Sequence, residues 1–467
     1  MDTAKKNVAV DDLQPGMVIS EITELSFDYA NLDAKTAQFL KTNFKGAQAV
    51  LIVEDGQKTV PVEELAEFDQ VSGIVSIPDS LKVAKIVPGL AESLRKRGFL
   101  EFKVSIPSGV TTGPAVKTEK KSPTLKVGSD EARKRSKQKM EEVRVFVDRI
   151  GVAEEHREIS ASSVEEMFDK GRTGKFDSKG AEAAVQSIVE KGAADGMRAV
   201  AGLKGSDQTY AHCVDMSVIL QGCYEDILMR SGREVDDNAT TFALLAGFMH
   251  DIGKSEIPKD VLDSTKRFPP DSKEMMMMRN HTEYGAKILS DMGMPKGAIN
   301  VAHYHHVKKD ASLFTSYPEV PYEQVNSVTR LASVVDVYQA LIGKRRYKKN
   351  WVPGAAVEYI LGLVGTEFDE RIVAHFLESM GKYPVGSLVK LTTGDLAFVL
   401  SLAPKDYPDR PIVAIVENAK GELLTAHSLL DLMLEQDIHV TEVMDHYEHY
   451  NESEDQAYRI FESIRVA

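Results

Sequence analysis

Histidine is absent from the first 155 residues of this chain, tryptophan occurs once and cysteine twice. Two thiols, Cys213 and Cys223, are too few for a disulfide framework, and with no basic-then-apolar leader in the first residues the expected setting is a reducing cytoplasm. No stretch approaches the roughly 18 consecutive apolar residues of a membrane span, so none is expected. Positive charge is also short: 57 Lys and Arg face 71 Asp and Glu, a formal charge of −14. That balance excludes a general binder of nucleic-acid polymers, which needs a basic face. It leaves room for a small anionic ligand wherever cations are concentrated locally. Two familiar site motifs are missing as well. No His-Glu-x-x-His occurs, and residues 247–255 mimic a phosphate-binding loop but put five residues between glycines where four are required.

What is present is a soluble-protein composition, 43% hydrophobic and 27% charged over 467 residues, enough for several domains. The expected class is multidomain α+β. Residues 1–105 read as a small α/β or β-rich regulatory domain, with strands near residues 8, 49–53 and 71–77. Residues 106–154 read as a Ser/Thr/Pro/Gly/Lys-rich linker followed by a charged connecting helix from about 129 to 150, whose short apolar stripe could pair two copies in a homodimer. Residues 155–381 are helical almost throughout and predict an all-α bundle. Phe242, Leu245, Ala246 and Met249 keep the i, i+3, i+4, i+7 rule, as do Val328, Leu331, Ala332 and Val335. After the two prolines at 269 and 270, Asp271 and Glu274 predict a helix start, and that helix would line up Met277, His281, Gly285 and Ile288. Residues 382–467 alternate short apolar runs with Gly and Pro and predict a small β-rich extension with a terminal helix.

Chemistry concentrates in the helical segment. His250 and Asp251 end an apolar helix pattern, followed by Ile252, Gly253 and Lys254. His212, His281, the pair His305-His306 and Asp336 fall where the pattern turns inward. Several buried imidazoles and carboxylates without partners would be costly, and divalent metal resolves the cost by accepting them together. Mixed His/Asp ligation suits iron, manganese, nickel or zinc better than magnesium or calcium, with iron or manganese preferred here. The ligands suffice for two ions: His212, His250, Asp251 and Asp336 around one, and Asp251, His281, His305 and His306 around the other, with Asp251 bridging. Such a pair, about 3.5–4 Å apart, shares a hydroxide and clamps an in-line phosphoryl displacement. Lys254 offsets phosphate charge, and residues 344–349 (Lys-Arg-Arg-Tyr-Lys-Lys) read either as a phosphate clamp or as a solvated basic patch. Cys213, beside His212, reads as packing.

These residues resemble the HD-GYP phosphodiesterases, a branch of the HD metallohydrolases. The resemblance runs over residues 200–381 through His212, His250-Asp251-Ile252-Gly253-Lys254, His281-x-x-x-Gly285, Tyr304-His305-His306 and Asp336-Val337-Tyr338. A looser likeness to a domain found ahead of this module rests on Leu13-Gln14-Pro15-Gly16-Met17. The resemblance implies an HD-type bundle and hydrolysis of cyclic di-GMP to the linear dinucleotide pGpG by a metal-bridging hydroxide. It assigns metal to the seven ligands above, catalysis to Asp251 and Lys254, and phosphate contacts to Lys254, Arg345 and Lys348. Alternatives are a hydrolase of 3′,3′-cyclic GMP-AMP and a non-catalytic cyclic-dinucleotide sensor or interaction protein. A diguanylate cyclase or another signalling protein could dock on loop 307–318 or the N-terminal domain. Two departures stand out. The family motif after His306 is altered, with Val307 in place of Glu and Ser316 in place of the first signature Gly. Positions that hold acidic ligands in three-metal members carry Gln208 and Gln339, which predicts a two-metal centre with the linear dinucleotide as product.

Overall fold

Short strands carry the described backbone of the first 105 residues. β1 (Lys5–Ala9), β2 (Val18–Leu25), β6 (Ala84–Lys85) and β7 (Phe99–Ser105) form one antiparallel sheet in the order β1-β7-β2-β6. β3 (Gln48–Val53), β4 (Gly56–Pro61) and β5 (Ile74–Ser76) form a second, β4-β3-β5. Strands therefore fall where the apolar runs near 8, 49–53 and 71–77 predict them. Beyond these strands, the computed structural model describes residues 125–203, 209–230, 233–262, 264, 268–343, 351–450 and 456–464.

The connecting helix, α1 (Asp130–Arg172), is 43 residues long and does not stop near 150. Ser129 caps it by accepting from the Ala132 amide at 3.1 Å, Asp130 and Glu131 occupy its first turn, and Lys170 and Arg172 its last, as the helix dipole favours. Its buried seam runs Val143, Val147, Ile150, Ala153, Arg157, Ser160, Val164, Met167. Gly151 and the small or polar seam residues after it hide the periodicity in the sequence. The division placed at 154/155 thus falls inside one helix.

The helices that follow are α2 (Lys179–Lys191), α3 (Ala194–Leu203), α4 (Thr209–Arg230) and α5 (Asp237–Met249), then a 3-10 turn (Ile252–Glu256) and α6 (Lys259–Leu262). Next come α7 (Lys273–Arg279), α8 (His281–Asp291), α9 (Lys296–Tyr304), α10 (Ser327–Ile342), α11 (Pro353–Gly362) and α12 (Glu370–Met380). Two apolar clusters hold the bundle. One joins α1 to α2, α3, α4 and α5 around Val164, Phe168, Val200 and Phe248. The other joins α4 and α5 to α9, α10, α11 and α12 around Tyr224, Leu331, Tyr338 and Phe376. The helix expected to begin at Asp271 differs in two ways. Its cap is Ser272, whose hydroxyl accepts from the Met275 amide, and it breaks at Asn280. His281 opens a new helix, so His281, Gly285 and Ile288 are buried while Met277 is exposed.

The C-terminal region is an antiparallel sheet, β11-β10-β9-β8-β12, built from β8 (Leu388–Leu391), β9 (Leu396–Ser401), β10 (Ile412–Glu417), β11 (Leu423–Asp431) and β12 (Val440–Val443). α13 (His446–His449) and α14 (Gln456–Ser463) follow. Phe461 of α14 packs edge-on against Phe398 of β9 and Phe146 of α1, at 5.4 and 6.2 Å between ring centres. Arg135 near the start of α1 lies 3.6 Å from Asp431 at the end of β11, and the Gly128 amide donates to the Met433 carbonyl at 2.8 Å. The connecting helix is thereby fixed to the C-terminal sheet at one end and embedded in the bundle at the other.

Candidate metal centre

Helix ends supply most of the chemistry. His250 caps the C-terminus of α5, Asp251 opens the 3-10 turn, His281 is the first residue of α8 and His305 caps α9. His212 and Asp336 project from within α4 and α10. Two glycines allow the convergence. A Cβ on Gly247 would collide with the Ser217 backbone, so α4 and α5 approach closely there. A Cβ on Gly253 would collide with the His281 carbonyl and the Gly285 amide, so the turn bearing Asp251 and Lys254 presses against α8.

The result is two ligand sets that meet at Asp251. His212, His250 and Asp336 form one, and His281, His305 and His306 the other. His212 Nε2 is 3.2 Å from both His250 Nε2 and Asp336 Oδ1. Asp251 turns Oδ2 toward His250 Nε2 and Oδ1 toward His281 Nε2, each at 3.3 Å, and His305 Nε2 lies 3.9 Å from Oδ1. Donor atoms about 2 Å from a shared ion sit about 3–3.5 Å apart, which matches.

Hydrogen bonding makes the fit sharper. The Nδ1 atoms of His250, His281 and His305 face the carbonyl oxygens of Gly247, Met278 and Val301 at 2.7, 2.6 and 2.9 Å. A carbonyl only accepts, so each Nδ1 carries the proton and each neutral Nε2 presents a bare lone pair inward. Lone pairs brought this close repel unless a cation lies among them. Asp251 Oδ1 is buried with no hydrogen-bond partner, an acceptor awaiting a positive charge. The residues present therefore fit divalent metal ions.

The protonation states of His281, His305 and His306 agree. Burial pushes His281 down to about 4 despite nearby Asp251, and pushes His305 down to about 3, with His250 adding to the shift. His306 lies well below the usual imidazole range, through burial and then His305. Burial would raise the carboxyls of Asp251 and Asp336, but Lys254 and His250 outweigh it at Asp251, and His212 does so at Asp336, so both fall well below the carboxylate range. His250 goes the other way: burial works against its charge, and Asp251 more than compensates. Lys254, ion-paired with Asp251, is likewise raised despite burial. Cys213 also lies close to His250 and Asp251, but burial and then the Asp251 charge hold its thiol far above the range in which it ionises, which makes it a poor ligand.

All seven proposed ligands and Lys254 thus gather in one place. Arg345, Lys348 and Gln208 lie outside the described residues. The altered loop has its own structure. Val307 is buried with Tyr322 and Val325. Ser316 accepts from the Lys308 amide at 3.0 Å, and Tyr317 stacks on His306 with ring centres 4.6 Å apart. Two cations not singled out by the sequence flank this loop. Arg279 sits 5.7 Å over Tyr317, and Lys308 is buried, 3.3 Å from Glu367 and over the Phe368 ring. Lys308 stands two residues after His306 and Arg279 two before His281, but a single cation beside each motif carries no spacing signal of its own.

A helical bundle organised around His-Asp ligands from α4, α5, α8, α9 and α10 defines the class: residues 211–372 match the HD domain family model. Over this central segment the chain resembles HD domains. The chain is 30% identical over 233 residues to cyclic di-GMP phosphodiesterase PA4108 of Pseudomonas aeruginosa, covering 49% of this chain and 53% of that protein. It is 30% identical over 138 residues to 3′3′-cGAMP-specific phosphodiesterase 2 of Vibrio cholerae, covering 29% and 26%. The chain thus spans about half or less of the length of these relatives. Among solved structures, Bd1817, a HDG"Y"P protein from Bdellovibrio bacteriovorus, aligns over 80% of this chain and 99% of its own at 11% identity and a TM-score of 0.37, and nothing further rests on it.

Proposed function

We propose that this protein is a metal-dependent cyclic dinucleotide phosphodiesterase that opens cyclic di-GMP to the linear dinucleotide pGpG. In the reaction, water adds to one phosphodiester phosphorus, the P–O3′ bond breaks and O3′ takes the proton, leaving a 5′-phosphate. The observation that carries the reading is the pair of ligand sets sharing Asp251, with inward lone pairs and an unpartnered carboxylate oxygen. His212, His250, Asp251 and Asp336 would hold one ion and Asp251, His281, His305 and His306 the other. When bound, two divalent ions of iron or manganese type supply Lewis-acid polarisation of the phosphoryl group and lower the pKa of the attacking water. Two, not three, is favoured because the Gln339 amide is already engaged by His212 and Asp215.

The chain's own residues then orient and neutralise. Lys254 remains protonated and, one turn beyond Asp251, places its ammonium beside a phosphate oxygen. Arg345 and Lys348 are proposed as further phosphate contacts. Tyr317, stacked on His306, walls the site on the loop side. The domain divisions at 105 and 381, a homodimer, a cytoplasmic setting and docking of a signalling partner on loop 307–318 or the N-terminal sheets complete the proposal. No helix among the described residues is long and apolar enough to cross a membrane. The test is incubation of metal-loaded protein with cyclic di-GMP, 3′,3′-cyclic GMP-AMP and the linear dinucleotide, with Asp251→Ala alongside. Preferred opening of cyclic di-GMP, lost in the variant, is expected. Nucleotide binding without turnover would make the protein a sensor, and turnover by Asp251→Ala would misplace the site.

A further inference from the structure

His250, His281 and His305 are each oriented by a main-chain carbonyl; His212 is not. Its Nδ1 faces the side-chain oxygen of Gln339, one turn beyond Asp336 on α10. The other end of that amide donates to Asp215 Oδ2 at 3.3 Å, and Asp215 is held by Arg157 of α1 through a bidentate pair, Nε to Oδ1 at 2.6 Å and Nη2 to Oδ2 at 2.8 Å. Asp215 is fully buried and Arg157 nearly so.

We propose that Arg157, Asp215 and Gln339 are positioning residues, a relay that fixes the His212 ring and ties the metal centre to the connecting helix. The proposal rests on the metal-centre reading above. Its logic is one of donors and acceptors. An ionised carboxylate only accepts, so Asp215 forces the amide nitrogen of Gln339 toward itself and leaves the oxygen facing His212. That oxygen requires the proton on Nδ1, so Nε2 is bare and points at His250 and Asp336. With the amide reversed, Nε2–H would point into the ligand set and no ion could be held there. Asp215 keeps its orientation because Arg157 satisfies both of its oxygens. Arg157 belongs to a helix that also reaches the Lys254 side: Arg172 donates to the Ile257 carbonyl at 3.4 Å, just past the 3-10 turn. A shift of α1 along its axis would therefore be felt at His212 and at Lys254 together.

Cobalt(II) titration of the full chain, followed by its visible absorption, tests the relay without relying on turnover. Wild-type protein is expected to take up two ions. Gln339→Met, which keeps side-chain length but removes the acceptor, is expected to weaken one ion about 10–100-fold and leave the other unchanged. Arg157→Met should weaken the same ion, and its combination with Gln339→Met should cost no more than the larger single effect. Wild-type affinity for both ions in Gln339→Met, equal weakening of both ions, or additive effects in the double variant would each overturn the relay. Absence of cobalt binding by the wild type would overturn the metal centre itself, and the relay with it.

Discussion

Asp251 carries the centre because its two oxygens serve different ligand sets. Asp251→Asn keeps the shape but removes the charge and places amide hydrogens where ions should be. Metal analysis of that variant is expected to show fewer than one tightly held ion per chain, with turnover down by at least about 10³-fold, the scale of losing a principal electrostatic group. Lys254→Met separates charge from ligation. It should retain its metal while kcat/KM falls about 10²–10³-fold, since a cation aimed at the phosphate acts on the reaction and not on the ions. A third residue reports on stability alone. His446 of α13 is buried, neither ring nitrogen has a hydrogen-bond partner among the described residues, and burial pushes it down to about 4. The unfolded chain therefore takes up this proton first. The stability that neutral His446 permits is complete above about pH 6.5 and is lost as pH falls toward 4. His446→Phe should remove that part of the acid slope, about 2–3 kcal/mol between pH 7 and 4 in urea titrations.

At the scale of elements, the site is a meeting of helix ends, and close contacts set its geometry. Gly253→Ala would drive a methyl into the His281 carbonyl and the Gly285 amide, backbone atoms that cannot rotate away. We expect a loss of about 1–3 kcal/mol by denaturant titration and a larger proportional loss of activity, because relief moves Asp251 away from His281. The sequence drew attention to these histidines and carboxylates because apolar helical patterns contain or lead into them: His212 and Asp336 lie within helices, His250, His281 and His305 at helix ends, and Asp251 and His306 directly after them. The relay was not. Arg157 and Asp215 are 58 residues apart and Gln339 is a further 124 residues on, with no local pattern joining them. α1 was underestimated because Ala153, Arg157 and Ser160 pack in its seam without an apolar signal, and the break at Asn280 was missed because the Met-rich run before it reads as continuous helix. Arg345 and Lys348 remain readings of the sequence.

For the molecule as a whole, α1 joins three parts: it starts against the C-terminal sheet through Arg135 and Asp431, passes Phe146 under α14, and ends beside the turn that holds Lys254. The β-rich C-terminal region and the N-terminal sheets were expected from alternating short apolar runs, although β11, largely exposed, gave no such run. On the proposed function, the shared His-Asp centre hydrolyses a cyclic dinucleotide. Product analysis after incubation of cyclic di-GMP with metal-loaded, chelator-treated and Asp251→Asn protein tests it most directly. Linear pGpG from the loaded wild type alone is the expected result. Intact cyclic di-GMP in all three, or equal hydrolysis after the metal is removed, would contradict it.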